Sequence, residues 1–197
     1  MRKIAFVACV AAVAVSATAE TYYSQVGNEM GQTSLRSPGV AGAWNTEPDG
    51  TGTSQAYVDG DENIYVIRHA LRTPENWELL TLGQEMRFEG GRIMFKMKPN
   101  GGKVTLPNMI VSENKTGAFE LANGNCQNTL AGNCQIGAGG RLSLAWAPQD
   151  TRSLTFDTTV TGTGTLVCSG GGGKGWLDVS EGALTNFKGP IVVNITG

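Results

Sequence analysis

The stretch CSGGGGKGWLDV, residues 168–179, holds four consecutive glycines and a lysine, the residue types that bind phosphate in a nucleotide loop. That loop needs the pattern G-x-x-x-x-G-K-[ST], in which backbone N–H groups and the lysine hold phosphates and the hydroxyl binds Mg²⁺. If Lys174 is the lysine, the first glycine position holds Cys168 and the hydroxyl position holds Gly175. We therefore interpret residues 170–173 as a turn between two strands.

Two other groups of residues have types that suit metal binding or nucleophilic catalysis. Asp59, Asp61 and Asn63 have the opening spacing of a calcium loop. The sixth position of that loop should be glycine but holds Ile64, so we interpret the segment as an Asp-Gly turn before a strand. The single histidine, His69, has no nucleophile elbow beside it. We expect no metal, no cofactor and no hydrolytic triad.

A pair of carboxylates carries the alternative interpretation as an enzyme. Parallel β-helices include enzymes that cut polysaccharides with carboxylates, and sometimes arginine, on one outer face. Asp157 and Asp178 lie on or beside predicted strands, and Arg141 and Arg152 are near in the sequence. Because acids so placed are common on solvated surfaces, the main prediction is no catalytic activity. A polysaccharide lyase or hydrolase that uses the two aspartates is the alternative.

Tryptophans offer a third interpretation, a carbohydrate-binding β-sandwich. Trp44 and Trp176 could stack on sugars if their rings were exposed. Trp176 has the parity opposite to Leu177 and is predicted to face outward, whereas Trp146 shares the parity of Leu144 and is predicted to lie in the core.

The first residues predict export. Arg2 and Lys3 precede an apolar run over residues 4–15, and small residues follow up to a cleavage site between Ala19 and Glu20. The run is shorter than the ~20 residues of a membrane-spanning helix, and no other stretch approaches that length. We predict a signal peptide over residues 1–19 and an extracellular, cell-surface or periplasmic protein without a transmembrane segment in its mature chain.

Charge and cysteine content limit the partners and the redox chemistry. The chain has 15 basic and 17 acidic residues, and loss of the signal leaves 15 − 2 = 13 basic ones, so nucleic acid is not an expected partner. Three cysteines would remain. Cys126 and Cys134 could form a disulfide in an oxidising compartment or be two buried thiols, and Cys168 would be unpaired.

The pattern from about Leu82 onward is that of an all-β protein. Short segments such as RLSLAW and SLTFDTTV alternate apolar with polar residues, and Gly, Asn, Pro or Asp clusters separate them. The sequence Thr73-Pro74-Glu75 predicts the start of one short helix that ends by Gly83. Periodicity leaves two architectures open: an antiparallel sandwich or barrel, and a parallel β-solenoid.

The last 37 residues favour the solenoid. They run from Gly-x-Gly-x-Leu through a Gly-rich turn and a Leu-containing strand to aromatic-x-Gly, and then through alternating β-branched residues to a final glycine. The residues in this pattern are Gly162, Gly164, Leu166, Leu177, Val179, Phe187, Gly189, Ile191, Val193 and Gly197. The segment resembles the autotransporter-associated β-helix repeat of bacterial exported proteins. The resemblance implies a short right-handed parallel β-helix in a passenger-like chain.

We therefore predict a signal peptide at residues 1–19, an irregular N-terminal lead or cap at 20–80 with a strand and a short helix, and β-helix coils at 81–197, with the clearest repeat at 161–197. The predicted function is a structural or adhesive surface module. Its partner would be a macromolecule or glycan at the cell surface. Because the end of a solenoid exposes unpaired backbone groups, end-to-end contact at the C-terminal coil is a further expectation.

Overall fold

A computed structural model describes residues 19–25, 32–34, 44–55, 62–72, 79–81, 83–95, 100–121, 127–146, 153–171 and 176–196. These residues form strands, turns and irregular segments, and none of them is helical. The strands are β1 (Thr21–Ser24), β2 (Gln32–Ser34), β3 (Trp44–Asn45), β4 (Ser54–Gln55), β5 (Ile64–Ile67), β6 (Ala70–Arg72), β7 (Leu79–Thr81), β8 (Glu85–Phe88), β9 (Arg92–Phe95), β10 (Asn100–Val111), β11 (Thr116–Leu121), β12 (Gln127–Ile136), β13 (Arg141–Trp146), β14 (Ser153–Gly162), β15 (Thr165–Gly171), β16 (Trp176–Val179) and β17 (Ile191–Thr196).

The strands form two sheets in the arrangement of a parallel β-solenoid. Sheet A has the order β16-β14-β12-β10-β8-β5-β1-β3-β4, with β7 also paired to β10, and sheet B has the order β17-β15-β13-β11-β9-β6-β2. From β8 onward the chain alternates between the sheets, and each new coil pairs in parallel with the preceding one. The predicted all-β solenoid is confirmed. The antiparallel sandwich is wrong, because the pairs between successive coils are parallel.

The core consists of apolar side chains that stack from one coil to the next. Leu130 pairs with Phe156 in sheet A and Leu144 with Cys168 in sheet B, and all four side chains are buried. Because paired strands lie about 4.8 Å apart, an apolar position on one coil is covered by the corresponding position on its neighbours. The largest fully buried side chains are Trp44, Tyr65, Phe88, Phe119, Phe156, Ile67, Leu71 and Met86.

A β-bulge in sheet A explains a proline and a glycine inside long strands. Strand β10 has one residue more than β12 between Leu106 and Met109. Pro107 lies in this bulge, where the ladder does not require its missing N–H. Gly132 of β12 pairs with Leu106 and has φ +120°, and a Cβ there would lie 1.9 Å from the carbonyl oxygen of Leu106. Only glycine fits this position without a shift of backbone.

The N-terminal strands extend the same two sheets. Strand β1 pairs in parallel with β5, and β2 with β6, so coils begin before residue 81, where the sequence analysis placed their start. The irregular part is the hairpin of β3 and β4, which pairs antiparallel with β1 and covers that edge of sheet A. Trp44 of this hairpin is fully buried, with its ring centroid 4.7 Å from that of Tyr65. The hairpin therefore caps sheet A.

The helix predicted between Thr73 and Gly83 is wrong where the structure describes that segment. Residues 79–81 form β7, which pairs in parallel with residues 103–105 of β10. Residues 109–111 of the same strand pair with β8, so β7 and β8 together cover one long neighbour. Pairing with β10 therefore outweighs the local helix signal. Residues 73–78, including the predicted cap, lie outside the described residues.

Two buried asparagines differ in how their amides are satisfied. Asn45 donates from Nδ2 to the carbonyl oxygens of Gly50 and Gly52, both at 3.1 Å, and accepts from the Glu47 N–H at 2.9 Å. Asn128 is 2% exposed on the core side of β12, and its Oδ1 and Nδ2 have no hydrogen-bond partner in the described part of the chain. An unsatisfied buried amide costs about 1–3 kcal/mol.

We predict that Asn128→Leu stabilises the protein. Leucine removes the unsatisfied amide and continues an apolar row, since Asn128 pairs with buried Leu154. The free energy of unfolding should rise by about 1 kcal/mol, measured by urea denaturation. Asn45→Leu is the matched control and should lower it by about 2 kcal/mol, because it leaves three backbone groups without partners. A loss of stability in Asn128→Leu would contradict the unsatisfied state of this amide.

We also predict that two glycines with the same backbone angle respond differently to alanine. Gly90 and Gly132 both have φ +120°, but a Cβ at Gly90 meets nothing within 4 Å, whereas at Gly132 it meets the Leu106 carbonyl. Gly90→Ala should cost about 1–2 kcal/mol of unfolding free energy from backbone strain alone. Gly132→Ala should cost at least about 2 kcal/mol more. Equal losses in urea denaturation would show that the bulge does not bring these two backbones together.

Candidate functional site

A groove opens on the outer face of sheet B, beside the short turns that lead from sheet A to sheet B. Its volume is about 410 Å³. We call it the arginine groove, and its lining residues are Arg68, His69, Ala70, Gly90, Gly91, Arg92, Thr116, Gly117, Ala118, Arg141 and Ser143. These residues belong to four successive coils that are far apart in the sequence.

The register of sheet B arranges the groove in two rows that cross the strands. The first row is Ala70, Arg92, Ala118 and Ser143, which pair in succession. The second row lies two residues earlier on each coil: Thr116 pairs with Arg141, and Arg68 and Gly90 lie in the turns that precede β6 and β9. Arg68 and Arg141 stand at the two ends of this row. Three strand spacings of about 4.8 Å separate them, which is about 14 Å.

Internal packing requires two of the glycines that line the groove. A Cβ at Gly91 would lie 2.6 Å from the carbonyl oxygen of His69, and one at Gly117 would lie 2.6 Å from the ring of Phe88. Glycine is therefore required at both positions by the backbone and core beneath them. Their missing side chains would point inward, so the low floor between the arginines comes from the small outward-facing residues Gly90, Ala118 and Ser143.

The groove carries an excess of positive charge. Arg92 Nη1 lies 3.1 Å from Glu120 Oε1, and Arg68 Nη1 donates to the carbonyl oxygen of Pro48 at 3.3 Å. Within the described residues, neither Arg68 nor Arg141 has a carboxylate oxygen within 4.0 Å. Three arginines against one glutamate give a local charge of 3 − 1 = +2, whereas the whole chain has a net charge of −2.

The only histidine is held at one end of the groove by a buried serine. Ser24 Oγ accepts the backbone N–H of Arg68 at 2.8 Å and of His69 at 3.2 Å. His69 Nδ1 lies 2.8 Å from the Ser24 carbonyl oxygen, which can only accept, so Nδ1 donates its proton there. This nitrogen cannot also take a proton from Ser24 Oγ, 3.2 Å away. The pair fixes the turn and leaves Nε2 for the groove.

The two aspartates of the alternative enzyme lie on the other sheet. Asp157 on β14 and Asp178 on β16 are both exposed, and Asp178 pairs with Thr155. The two aspartates are therefore on adjacent strands of sheet A, two positions apart. Arg141 belongs to sheet B, across the core, and Arg152 lies outside the described residues. The structure brings the aspartates close to each other and separates them from Arg141.

The two tryptophan side chains that the structure describes, Trp44 and Trp176, do not form a sugar-binding platform. Trp176 is 49% exposed, as its parity predicted. Trp44 is 0% exposed in the cap and has no face open to a ligand, so its predicted stacking on sugars is wrong. The side chain of Trp146 lies outside the described part of the structure.

Apolar residues reach solvent at the C-terminal side of the solenoid, where β16 and β17 are the last described strands of their sheets. Three of them continue the core rows, namely Val179 at 37% exposure, Ile191 at 47% and Val193 at 59%, and we call these three the C-terminal apolar surface. Their paired residues one coil earlier are Phe156, Leu166 and Cys168, all of which are buried. The core rows of both sheets therefore continue into solvent at this end.

The other predicted sites are only partly described. Strand β15 continues through Gly171, so the glycine-rich connection lies at residues 172–175, outside the described residues together with Lys174. Asp59 and Asp61 also lie outside them. Among the described residues, no group of three or more His, Cys, Asp or Glu side chains could hold a metal ion.

Two cysteines lie in the core. Cys134 and Cys168 are free buried thiols, and burial raises the pKa of both above the usual range of a thiol. Cys126 lies outside the described residues, so the Cys126–Cys134 disulfide stays a prediction.

The predicted signal peptide lies almost entirely outside the described residues. Residues 1–18 are not described, and Ala19 and Glu20 at the predicted cleavage site are exposed just before β1. In the described part of the chain, no helix is long and apolar enough to cross a membrane.

Comparison with known proteins adds no relative. No protein-family model matches the chain, and no similar curated protein or solved structure was found. The resemblance of residues 161–197 to the autotransporter-associated repeat therefore stays a prediction.

The sequence analysis missed the arginine groove. From the sequence, Arg141 was only a neighbour of the two aspartates, and neither Arg68 nor Arg92 was a candidate site residue. A signal was present, because Gly90-Gly91-Arg92 and Gly139-Gly140-Arg141 both place Gly-Gly-Arg at the start of a sheet B strand. The strand register was needed to show that they lie on one face.

We predict that Cys134 and Cys168 react slowly with thiol reagents in the folded protein. Their raised pKa keeps the reactive thiolate scarce, so raising the pH from 7 to 9 should accelerate alkylation far less in the folded than in the unfolded chain. Folded-state labelling should be at least about ten-fold slower than labelling in urea at pH 8. Peptide mass spectrometry after iodoacetamide treatment separates the sites. Rapid labelling of Cys134 without urea would contradict its place in the core.

Proposed function

We propose that this protein is an exported structural or adhesive module, a rigid β-solenoid that acts through contacts with other macromolecules. Export and a bacterial, autotransporter-like context are parts of this proposal, and they rest on residues 1–19 and 161–197 of the sequence. The observation that carries the proposal is the C-terminal apolar surface. Side chains in core rows are exposed there on both sheets at once.

The strands at this end also have few of the features that prevent edge pairing. Natural edge strands are usually protected by lysine, proline or a bulge. Strand β17 has the sequence IVVNIT, and β16 has the sequence WLDV with Asp178 as its one charge. In the described part of the chain neither edge has a strand on its outer side, so each can accept another strand through its backbone groups, while Val179, Ile191 and Val193 supply apolar area.

A second copy of this chain is the partner that best fits this end. The edges of β16 and β17 lie side by side at this end, one in each sheet. A partner must pair with both edges, and the core sets the distance between them. The same end of another copy has that separation and the same twist. A two-fold axis would pair β17 with its equivalent in antiparallel fashion and would use the same patch on both molecules.

We predict that the purified protein forms a dimer through this surface and that Val193→Lys disrupts it. A buried ammonium without a partner carries a large desolvation cost, and Val193 is 59% exposed and free to contact a neighbour. The dissociation constant of the dimer should rise at least about ten-fold in sedimentation velocity measurements over a range of concentrations.

Thr159→Lys is the control for this experiment. Thr159 is exposed on β14, a strand with neighbours on both sides, so the substitution adds the same charge to sheet A away from the terminal edge. This variant should dimerise like the parent protein. A parent protein that stays monomeric at hundreds of micromolar, or equal weakening by the two lysines, would contradict the proposed contact.

A further inference from the structure

We infer that the arginine groove binds an acidic polysaccharide, with carboxylates of separate sugar units contacting Arg68, Arg92 and Arg141. This inference goes beyond the proposed function, since it concerns the outer face of sheet B and not the end of the solenoid. It is carried by the spacing of the arginines, by the low floor between them and by their charge.

The spacing favours an extended ligand. Arg68 and Arg141 stand at the ends of one row, about 14 Å apart over three strand spacings. Arg92 lies between them in the adjacent row, because it pairs with Ala70 on one side and Ala118 on the other. A single small anion can reach one end of this arrangement but not both. A chain with several anionic groups can contact all three guanidinium groups together.

The floor of the groove leaves room for such a chain to lie across the strands. Between the arginines the lining side chains are small, as at Gly90, Ala118 and Ser143. The volume of about 410 Å³ is open along sheet B and is not closed over by the described residues. A flat ring can therefore rest on the sheet while its acid groups reach the arginines at the sides.

The polar groups between the arginines match sugar hydroxyls. Thr116 and Ser143 contribute hydroxyls that both donate and accept, and His69 has Nε2 available because Nδ1 donates to Ser24. An acidic peptide would bring fewer hydroxyls to these groups. Nucleic acid is disfavoured, because its affinity rests on many Lys and Arg contacts to phosphate, and the groove supplies three arginines on a chain of net charge −2.

Glu120 adjusts the strength of the site. Its carboxylate lies 3.1 Å from Arg92 Nη1, orients that guanidinium and cancels part of its charge. Glu120→Gln raises the local charge from +2 to +3 by removal of one negative group. If the groove binds an anion, this substitution strengthens binding, whereas Arg141→Gln weakens it. A general loss of structure would weaken binding in both variants, so affinity changes of opposite sign would point to the charge of the groove.

The test is isothermal titration of the purified protein with a tetramer of galacturonate at low salt. We expect saturable binding that weakens as salt is raised, because the contacts are ionic. Arg141→Gln should reduce the affinity at least ten-fold, and Glu120→Gln should increase it several-fold. Arg87→Gln is the matched control: Arg87 lies on sheet A in an ion pair with Glu85, so the substitution removes the same charge from the opposite face and should leave the affinity unchanged.

Other ligands test whether binding to the groove requires a chain of several sugars and negative charge. Monomeric galacturonate should bind at least ten-fold more weakly than the tetramer, and neutral maltotetraose should not bind at millimolar concentration. The inference is overturned if the acidic tetramer does not bind, if tetraglutamate or a short single-stranded DNA binds as tightly, or if Arg141→Gln and Arg87→Gln have equal effects. Val193→Lys should retain saccharide binding, so failure of the groove and failure of the dimer contact give different results.

Discussion

Parallel main-chain pairing in register between successive coils is the constraint on which the rest of this structure depends. In β12 and β14 the pairing runs without interruption from Gln127↔Ser153 to Ile136↔Gly162. Since each residue stacks on one residue of the coil before it, an extra residue inside a strand would move the later side chains of that strand to the opposite face of the sheet. The bulge of β10 at Pro107 absorbs one such extra residue, and Gly132 provides the close backbone approach that this requires.

The alternation of apolar and polar residues was sufficient to predict an all-β pattern from about Leu82 onward and, with the C-terminal repeat, the solenoid. It works because a half-buried strand must alternate, whatever its neighbours are. The register between strands of successive coils could not be predicted from the sequence. His69, Arg92 and Arg141 share one face because turns of different length bring them into adjacent rows. The combined length of the strands and turns between them determines this placement, and no local sequence pattern shows it.

Local signals also failed where a distant strand determined the outcome. Residues 79–81 follow a good helix start but pair with β10, and Trp44 lies in a segment rich in turn residues but packs from the cap against Tyr65 and is fully buried. In both cases the burial of apolar groups against another coil outweighs the preference of the segment itself. Conversely, the outward position of Trp176 was predictable, since only the parity of its own strand determines it.

The two aspartates, Asp157 and Asp178, lie on sheet A, and the arginine groove lies on sheet B. The two ends of sheet A differ as well, because the antiparallel hairpin of β3 and β4 covers one edge while β16 forms the other. Parallel β-sheets that are open at both ends can lengthen without limit into fibres, as cross-β stacks do. A hairpin that reverses strand direction at one end offers incoming coils no matching template on that sheet. Addition of further parallel coils to sheet A is therefore disfavoured at the hairpin end, which makes the two ends of this sheet unequal as sites of assembly.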